Sequence, residues 1–368
     1  MNDKFIPISQ PSITQKEIDR VMEAMKSGWV SSLGRYLDIF EEKFAEFIGT
    51  KYAVTTTNGT TALHLALVAN GIKSGDEVIV PDFTFIATAN AVKYTGAKVV
   101  LVDIEEDSLC IDPQKIENAI TGKTKAIVPV HLYGHPANMI EINRIARKYN
   151  LVVVEDAAES HGAEINGKKV GSLGHCGVFS FYGNKIITTG EGGMITTDDK
   201  GLFERLRLLR DHAMSSEKRY WHESVGFNYR MTNLQAALGV AQLERIGEIV
   251  ERKREIFNTY KERLSQNPKI KLNHEATWAK NVYWMVCLEI EGFNESKRDA
   301  FMKELKSKGI DSRPFFYPIS DMPMYEKAQT PVTHRVYQRG INLPSYFDMS
   351  NASIEYVCDT ILRIVEKK

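Results

Sequence analysis

Between Tyr52 and Asp156 short apolar runs rich in branched side chains alternate with longer segments whose apolar residues recur at helical spacing. The runs are Tyr52 to Thr56, Glu77-Val-Ile-Val-Pro81, Lys98 to Asp103, Lys125 to Val130 and Leu151-Val-Val-Val-Glu155. The helical segments between them are Ala62 to Asn70, the stretch through Tyr94, Pro113 to Ile120 and Met139 to Tyr149. A strand that is apolar at nearly every position has no face to give to water, so it must be covered on both sides. The alternation therefore predicts an α/β fold with a mostly parallel central sheet and helices on both faces. In such sheets ligands gather at the carboxyl ends of the strands, which is where functional residues are expected.

The chain of 368 residues is long enough for two domains. A helical stretch from Met231 through Leu264 leads to strands at Lys269 to Leu272 and Val282 to Ile290, a helix at Lys297 to Gly309 and a closing helix at Ser350 to Val365. This predicts a large domain over 1–245 and a smaller α/β domain over 246–368. With 47 basic and 47 acidic residues the formal net charge is +0, which favours neither nucleic acid nor an anionic membrane as partner. No run approaches membrane-spanning length and the start has no charged region leading into an apolar one, so a cytoplasmic enzyme is expected. Cys110, Cys176, Cys287 and Cys358 are scattered, which predicts buried free thiols and no metal.

Several stretches carry chemistry. In Ser180-Phe-Tyr-Gly-Asn-Lys-Ile-Ile-Thr-Thr-Gly-Glu-Gly-Gly193 a lone lysine, Lys185, stands between an aromatic apolar run and a glycine-rich turn. Desolvated, or trapped by a carbonyl partner, such an amine is a nucleophile; the same stretch also suits an exposed lysine at a strand end. Thr57-Asn-Gly-Thr-Thr61 turns a strand into a helix and offers unpaired N–H groups to an anion, or merely caps the helix well. Phe85 falls at a strand's carboxyl end, where it either stacks on a ligand ring or packs in the core with Phe83. Asp156, in Glu155-Asp-Ala-Ala-Glu-Ser-His-Gly162, occupies the end of the most apolar strand, where a buried carboxylate needs a cation or several donors, or it simply caps the next segment. His64 reads as a packed core histidine. The loop Ser27-Gly-Trp-Val-Ser-Ser-Leu-Gly34 presents hydroxyls beside Trp29, or is an ordinary turn around a buried tryptophan.

In their order, Asn58-Gly-Thr-Thr61, Phe85, Asp156 with Glu159 and His161, then Ser180 and Lys185, resemble the fold-type I enzymes that use pyridoxal phosphate. The chain is similar in particular to the DegT/StrS family of nucleotide-sugar aminotransferases. Trp29-Val-Ser-Ser32, His131-Leu-Tyr-Gly-His-Pro136, Gly226-Phe-Asn-Tyr-Arg-Met-Thr-Asn233 and Arg313-Pro-Phe-Phe-Tyr-Pro318 carry that resemblance too. Within the family Tyr220-Trp-His222, Tyr283-Trp-Met-Val286, Met322-Pro-Met-Tyr325 and Gly340-Ile-Asn-Leu-Pro-Ser345 look most like the GDP-perosamine synthases, which aminate C4 of GDP-4-keto-6-deoxymannose.

The resemblance implies roles residue by residue. Lys185 would bond to the cofactor aldehyde and later shuttle a proton, with Asp156 holding the ring nitrogen protonated. Glu159 would lie near the ring hydroxyl, where many relatives carry glutamine, and Phe85 would stack on the ring. Gly59, Thr60 and Ser180 would meet the phosphate, joined by Asn228 of the partner subunit. Trp29, Ser31, His161, Arg219, Tyr220, Arg313 and Tyr317 are the implied substrate contacts. Also implied are L-glutamate as amino donor, pyridoxamine 5'-phosphate as the intermediate cofactor form, and a homodimer with shared sites, with a tetramer left open. Related sugar dehydratases carry histidine in place of the lysine, so Lys185 argues against that activity. A PLP-binding regulatory protein would call for a basic DNA-reading face, which the sequence lacks.

Overall fold

The structure, a computed structural model, describes residues 5–366. Its strands in chain order are β1 Tyr52–Thr56, β2 Glu77–Pro81, β3 Lys98–Val102, β4 Thr124–Ile127, β5 Val152–Asp156, β6 Glu164–Ile165, β7 Lys168–Lys169, β8 Cys176–Ser180, β9 Gly193–Thr197, β10 Ile270–Leu272, β11 Ala279–Lys280, β12 Val286–Ile290, β13 Arg313–Pro314 and β14 Gly340–Leu343. A seven-stranded sheet runs β1-β9-β8-β5-β4-β2-β3. Its β8-β5-β4-β2-β3 run is parallel, and β9 lies antiparallel between β1 and β8. This is the mostly parallel α/β sheet that the strand composition predicts.

Alternate residues along each strand feed two separate cores. Ile79, Ile127, Val153, Phe179 and Met194 pack on one face with Phe40, Phe44 and Phe181. Val78, Val80, Val128, Val154, Val178 and Ile195 pack on the other with Leu63, Leu65, Leu67 and Val92. The helices concerned include α1 Gln15–Lys26, α2 Arg35–Ile48, α3 Gly59–Ala69 and α4 Ala87–Tyr94. Helix α3 is apolar all round and buried along nearly its whole length, as a helix without a polar face must be.

A second sheet, β10-β12-β14-β13, is antiparallel and packs against the helices Ile246–Leu264 and Asn351–Glu366 over its own core. Two expected elements come out differently. The stretch Met231 to Leu264 is two helices, Asn233–Leu243 and Ile246–Leu264. Arg245 leaves the helical region between them, and its buried guanidinium bonds to Glu17 and Ser12. The strand expected from Val282 starts only at Val286, because Tyr283 is left-handed (φ 47°) and its N–H is taken by the Asn281 side chain. That turn brings Trp284 beside Lys185.

Candidate active site

The carboxyl ends of β1, β2, β5 and β8 open onto one cavity of about 380 Å³. Asn58, Gly59 and Thr60 follow β1 into α3, Phe85 follows β2, Asp156 ends β5 and Ser180 ends β8. All lie in stretches that the sequence or the resemblance marks, and the parallel topology is what gathers them.

At the start of α3 the Asn58 side chain accepts from the N–H of Thr61 at 2.9 Å, while the Thr61 hydroxyl accepts from the N–H of Asn58 at 3.2 Å. This reciprocal cap fixes the turn and leaves the first-turn N–H groups of Gly59 and Thr60 without an acceptor inside the helix. A Cβ on Gly59 would stand 2.8 Å from the Cβ of Ser180, so only glycine lets α3 come this close to the end of β8. Backbone donors and the Ser180 hydroxyl thus face a common space suited to an anion.

Asp156 is buried. Its Oδ2 accepts from the Thr88 hydroxyl at 2.7 Å and its Oδ1 from the N–H of Ala158 at 3.2 Å. Burial raises its pKa above the usual carboxylate value, opposed by those two donors and by the charge of Lys185. No ion pair reaches it among the described residues. A buried carboxylate held by two neutral donors on a cavity wall suits a cationic N–H in the cavity.

Lys185 follows β8 in a turn in which its N–H donates to the carbonyl of Tyr182 at 2.9 Å. Its Nζ lies 3.5 Å from Glu159 Oε1 and 4.0 Å from the centroid of the Trp284 ring. Glu159 also accepts from the N–H of Tyr133 at 2.9 Å. Burial raises the pKa of Glu159, and Lys185 and that N–H oppose the rise. The cavity therefore holds an amine against a carboxylate, a second carboxylate at depth and an anion cradle at a helix start. That donor set fits the ring nitrogen, aldehyde and phosphate of pyridoxal phosphate.

Of the residues implied by resemblance, Gly59, Thr60, Phe85, Asp156, Glu159, Ser180 and Lys185 line this cavity. Phe85 is 55% exposed while Phe83 is core, which separates the two phenylalanines. His161, an implied substrate contact, is not among the residues that line the cavity. Its ring is fully buried beside Phe179 and Phe181, and burial, with the charge of Lys185, pulls its pKa down to about 3. Enclosed by two phenyl rings, it stays off the cavity wall.

Trp29 is 57% exposed, not buried, and the carbonyls of Trp29 and Ser31 accept from Asn233. Arg219 and Tyr220 stack on an exposed loop, and Asn228 takes a hydrogen bond from Arg230. Arg313 pairs with Asp311, and the Tyr317 hydroxyl accepts from Arg298. None of these seven lines the cavity.

Thr88, Tyr182, Asn184, Trp284 and Phe316 line it without a role that the sequence assigns. Trp284 and Phe316 sit inside motifs that carry the resemblance, so a signal is there. Thr88 gives none, because only the fold brings it to Asp156.

Comparison with known proteins places this geometry. The family model described as DegT/DnrJ/EryC1/StrS aminotransferase family matches residues 11–362. A GDP-perosamine synthase of Escherichia coli O157:H7 is 47% identical over 97% of this chain and 98% of its own length. One from Caulobacter vibrioides is 47% identical over 96% of each. Among solved structures, a putative sugar aminotransferase of Streptococcus pneumoniae in its PMP form superposes with a TM-score of 0.94 at 26% identity, covering 99% of this chain and 98% of that one. S. venezuelae DesV superposes with a TM-score of 0.93 at 33% identity, covering 99% of each chain. Family model, relatives and fold agree over nearly the full length, and the chain belongs to the DegT/DnrJ/EryC1/StrS aminotransferase family.

Proposed function

We propose that this aminotransferase uses pyridoxal phosphate to move an amino group from L-glutamate to C4 of a nucleotide-linked 4-keto-6-deoxysugar, converting GDP-4-keto-6-deoxy-D-mannose to GDP-perosamine. The observation that carries the chemistry is the Lys185 amine 3.5 Å from Glu159 in the cavity that also holds Asp156 and the start of α3. The choice of nucleotide and sugar rests on the likeness to the GDP-perosamine synthases.

When bound, pyridoxal phosphate supplies an aldehyde that accepts the amino group and a ring that draws electrons from the carbon losing its proton. Gly59, Thr60 and Ser180 would hold its phosphate, joined by Asn228 of the partner subunit in a homodimer. Asp156 would hold a proton on the ring nitrogen, and Phe85 would cover a ring face. At Nζ, Lys185 takes up the proton released from the α-carbon of glutamate and, in the second half-reaction, delivers one to C4 of the sugar. Glu159 compensates the charge of that amine, while Trp284 and Phe316 keep water from its side of the cavity. The exposed Trp29, Leu33, Tyr220, Trp221 and Val225 support a subunit interface through which the Trp29 to Ser31 loop and Arg219 with Tyr220 reach the substrate. Arg313 and Tyr317 would meet the nucleotide.

The test offers GDP-, dTDP- and UDP-linked 4-keto-6-deoxysugars with glutamate and identifies the amino sugar by mass and NMR. A GDP product aminated at C4 is expected, with no turnover by Lys185→Ala. Amination at C3, or of the dTDP sugar alone, overturns the substrate assignment.

A further inference from the structure

Tyr133 is the bulky residue at which the surroundings of Lys185 converge, although it touches neither Lys185 nor the cavity. It is fully buried and left-handed, with φ 53° and ψ 16°. A tyrosine adopts that backbone only when its neighbours enforce it. Gly134 next to it has φ 104°, and a Cβ there would lie 2.7 Å from the backbone nitrogen of Tyr283, so the turn is clamped against the segment carrying Trp284.

Besides packing on Phe83 and Phe315 in the core, this residue makes four contacts that end on groups of the site. Its N–H donates to Glu159 Oε2 at 2.9 Å, and the other oxygen of that carboxylate faces Lys185 Nζ. Its ring lies nearly parallel to Trp284, at 6.2 Å and 15°, and Trp284 in turn lies against the same Nζ. It also lies nearly parallel to Phe316, at 5.4 Å and 14°, and its hydroxyl accepts from the N–H of Phe316 at 3.3 Å. Phe316 continues the wall to Phe85, at 5.9 Å.

We propose that Tyr133 is a positioning residue that sets Glu159, Trp284 and Phe316 as one rigid frame around Lys185 and the cofactor ring. The inference rests on the aminotransferase reading above. The left-handed turn aims the N–H at Glu159, and the flat ring packed against both aromatic walls limits how either can turn. The frame controls how the amine and the reacting carbon are aligned, so its loss falls on turnover and leaves the grip on the phosphate alone.

The test separates ring, hydroxyl and backbone. Tyr133→Asn keeps a residue that tolerates the left-handed turn, with its N–H on Glu159, and removes the ring. Tyr133→Phe keeps the ring and removes only the hydroxyl. Both are loaded with pyridoxal phosphate to full occupancy and compared with the unaltered protein well below its melting temperature. Tyr133→Asn is expected to lower kcat at least about tenfold with KM for both substrates within about threefold. It is also expected to lose more than half of the circular dichroism of the bound cofactor's absorbance band, which reports how rigidly the ring is held. Tyr133→Phe should keep kcat within about threefold and most of that signal. If Tyr133→Asn only melts earlier and keeps both the dichroism and kcat, or if its loss lies in KM, the frame is not what Tyr133 provides. Should Tyr133→Asn fail to fold, Tyr133→His, which also tolerates the turn and replaces the large ring by a smaller one, is read in the same way, and a change above tenfold in kcat for Tyr133→Phe assigns the role to the hydroxyl and overturns the ring argument. An unaltered protein that binds no pyridoxal phosphate instead refutes the aminotransferase reading, so the two failures are distinguishable.

Discussion

Two side chains away from Lys185 make measurable claims at the scale of the residue. The Thr88 hydroxyl is one of two donors to the buried Asp156, at 2.7 Å. Thr88→Val keeps the shape and leaves a buried acceptor short of a donor, a change worth about 1–3 kcal/mol. A fall in kcat of about tenfold or more is expected from the weaker hold on Asp156, and steady-state kinetics with glutamate check it.

Lys253 bears on stability. It is buried, bonds among the described residues to the carbonyl and hydroxyl of Ser345, and burial pulls its pKa from 10.5 down to about 7. Between those values the unfolded chain holds a proton that the folded chain has lost, so stability rises as pH climbs from about 7 toward 10.5. Below about 7 both states carry the charge and the full penalty of burying it remains. Lys253→Met should therefore raise the denaturant midpoint of the apoprotein at pH 7 and reduce its gain between pH 7 and 9.5. Equal gains in the two proteins would mean that Lys253 keeps its ordinary protonation when folded.

The start of α3 sets helix propensity against packing at the scale of the element. Replacing a helical glycine by alanine favours the helix by roughly 1 kcal/mol. At Gly59 the added Cβ would stand 2.8 Å from Ser180, in an interior that cannot open without strain. The collision should win, so Gly59→Ala is expected to weaken pyridoxal phosphate binding by the apoprotein at least about tenfold, read by fluorescence titration. Unchanged affinity would place the phosphate elsewhere.

The same element marks what the sequence makes legible. Strands β1 to β5 and their helices are readable because strand and helix differ in period, and the carboxyl ends of those strands locate Phe85 and Asp156 from the residue pattern alone. Lys185, Ser180 and Glu159 are readable as parts of a recognised order of motifs. The left-handed turns at Tyr133 and Tyr283 are not readable, since nothing local marks a tyrosine for positive φ and only packing against Gly134 and Asn281 imposes it. For that reason the apolar pattern puts Trp284 in a strand, whereas it lies beside the lysine. His161 shows the other limit, since its place next to site residues in the chain does not tell that its ring packs on Phe179 and Phe181.

At the scale of the whole molecule, a single chain leaves Asn228, Arg219, Tyr220 and Trp29 outside its own cavity. If a site combines Lys185 of one subunit with Asn228 of the partner subunit, two defective variants complement each other. In a hybrid of Lys185→Ala and Asn228→Ala subunits, one site collects both substitutions and the other collects neither. A site built within one chain has no such escape, since each subunit of the hybrid would carry one lesion. The proteins are unfolded together, refolded at equal amounts and assayed at limiting pyridoxal phosphate, where the phosphate contact matters. Random pairing makes half the dimers hybrid with one intact site of two, so specific activity should recover to about a quarter of the unaltered protein's. Activity no higher than the mean of the two separate variants would mean that each chain builds its own site.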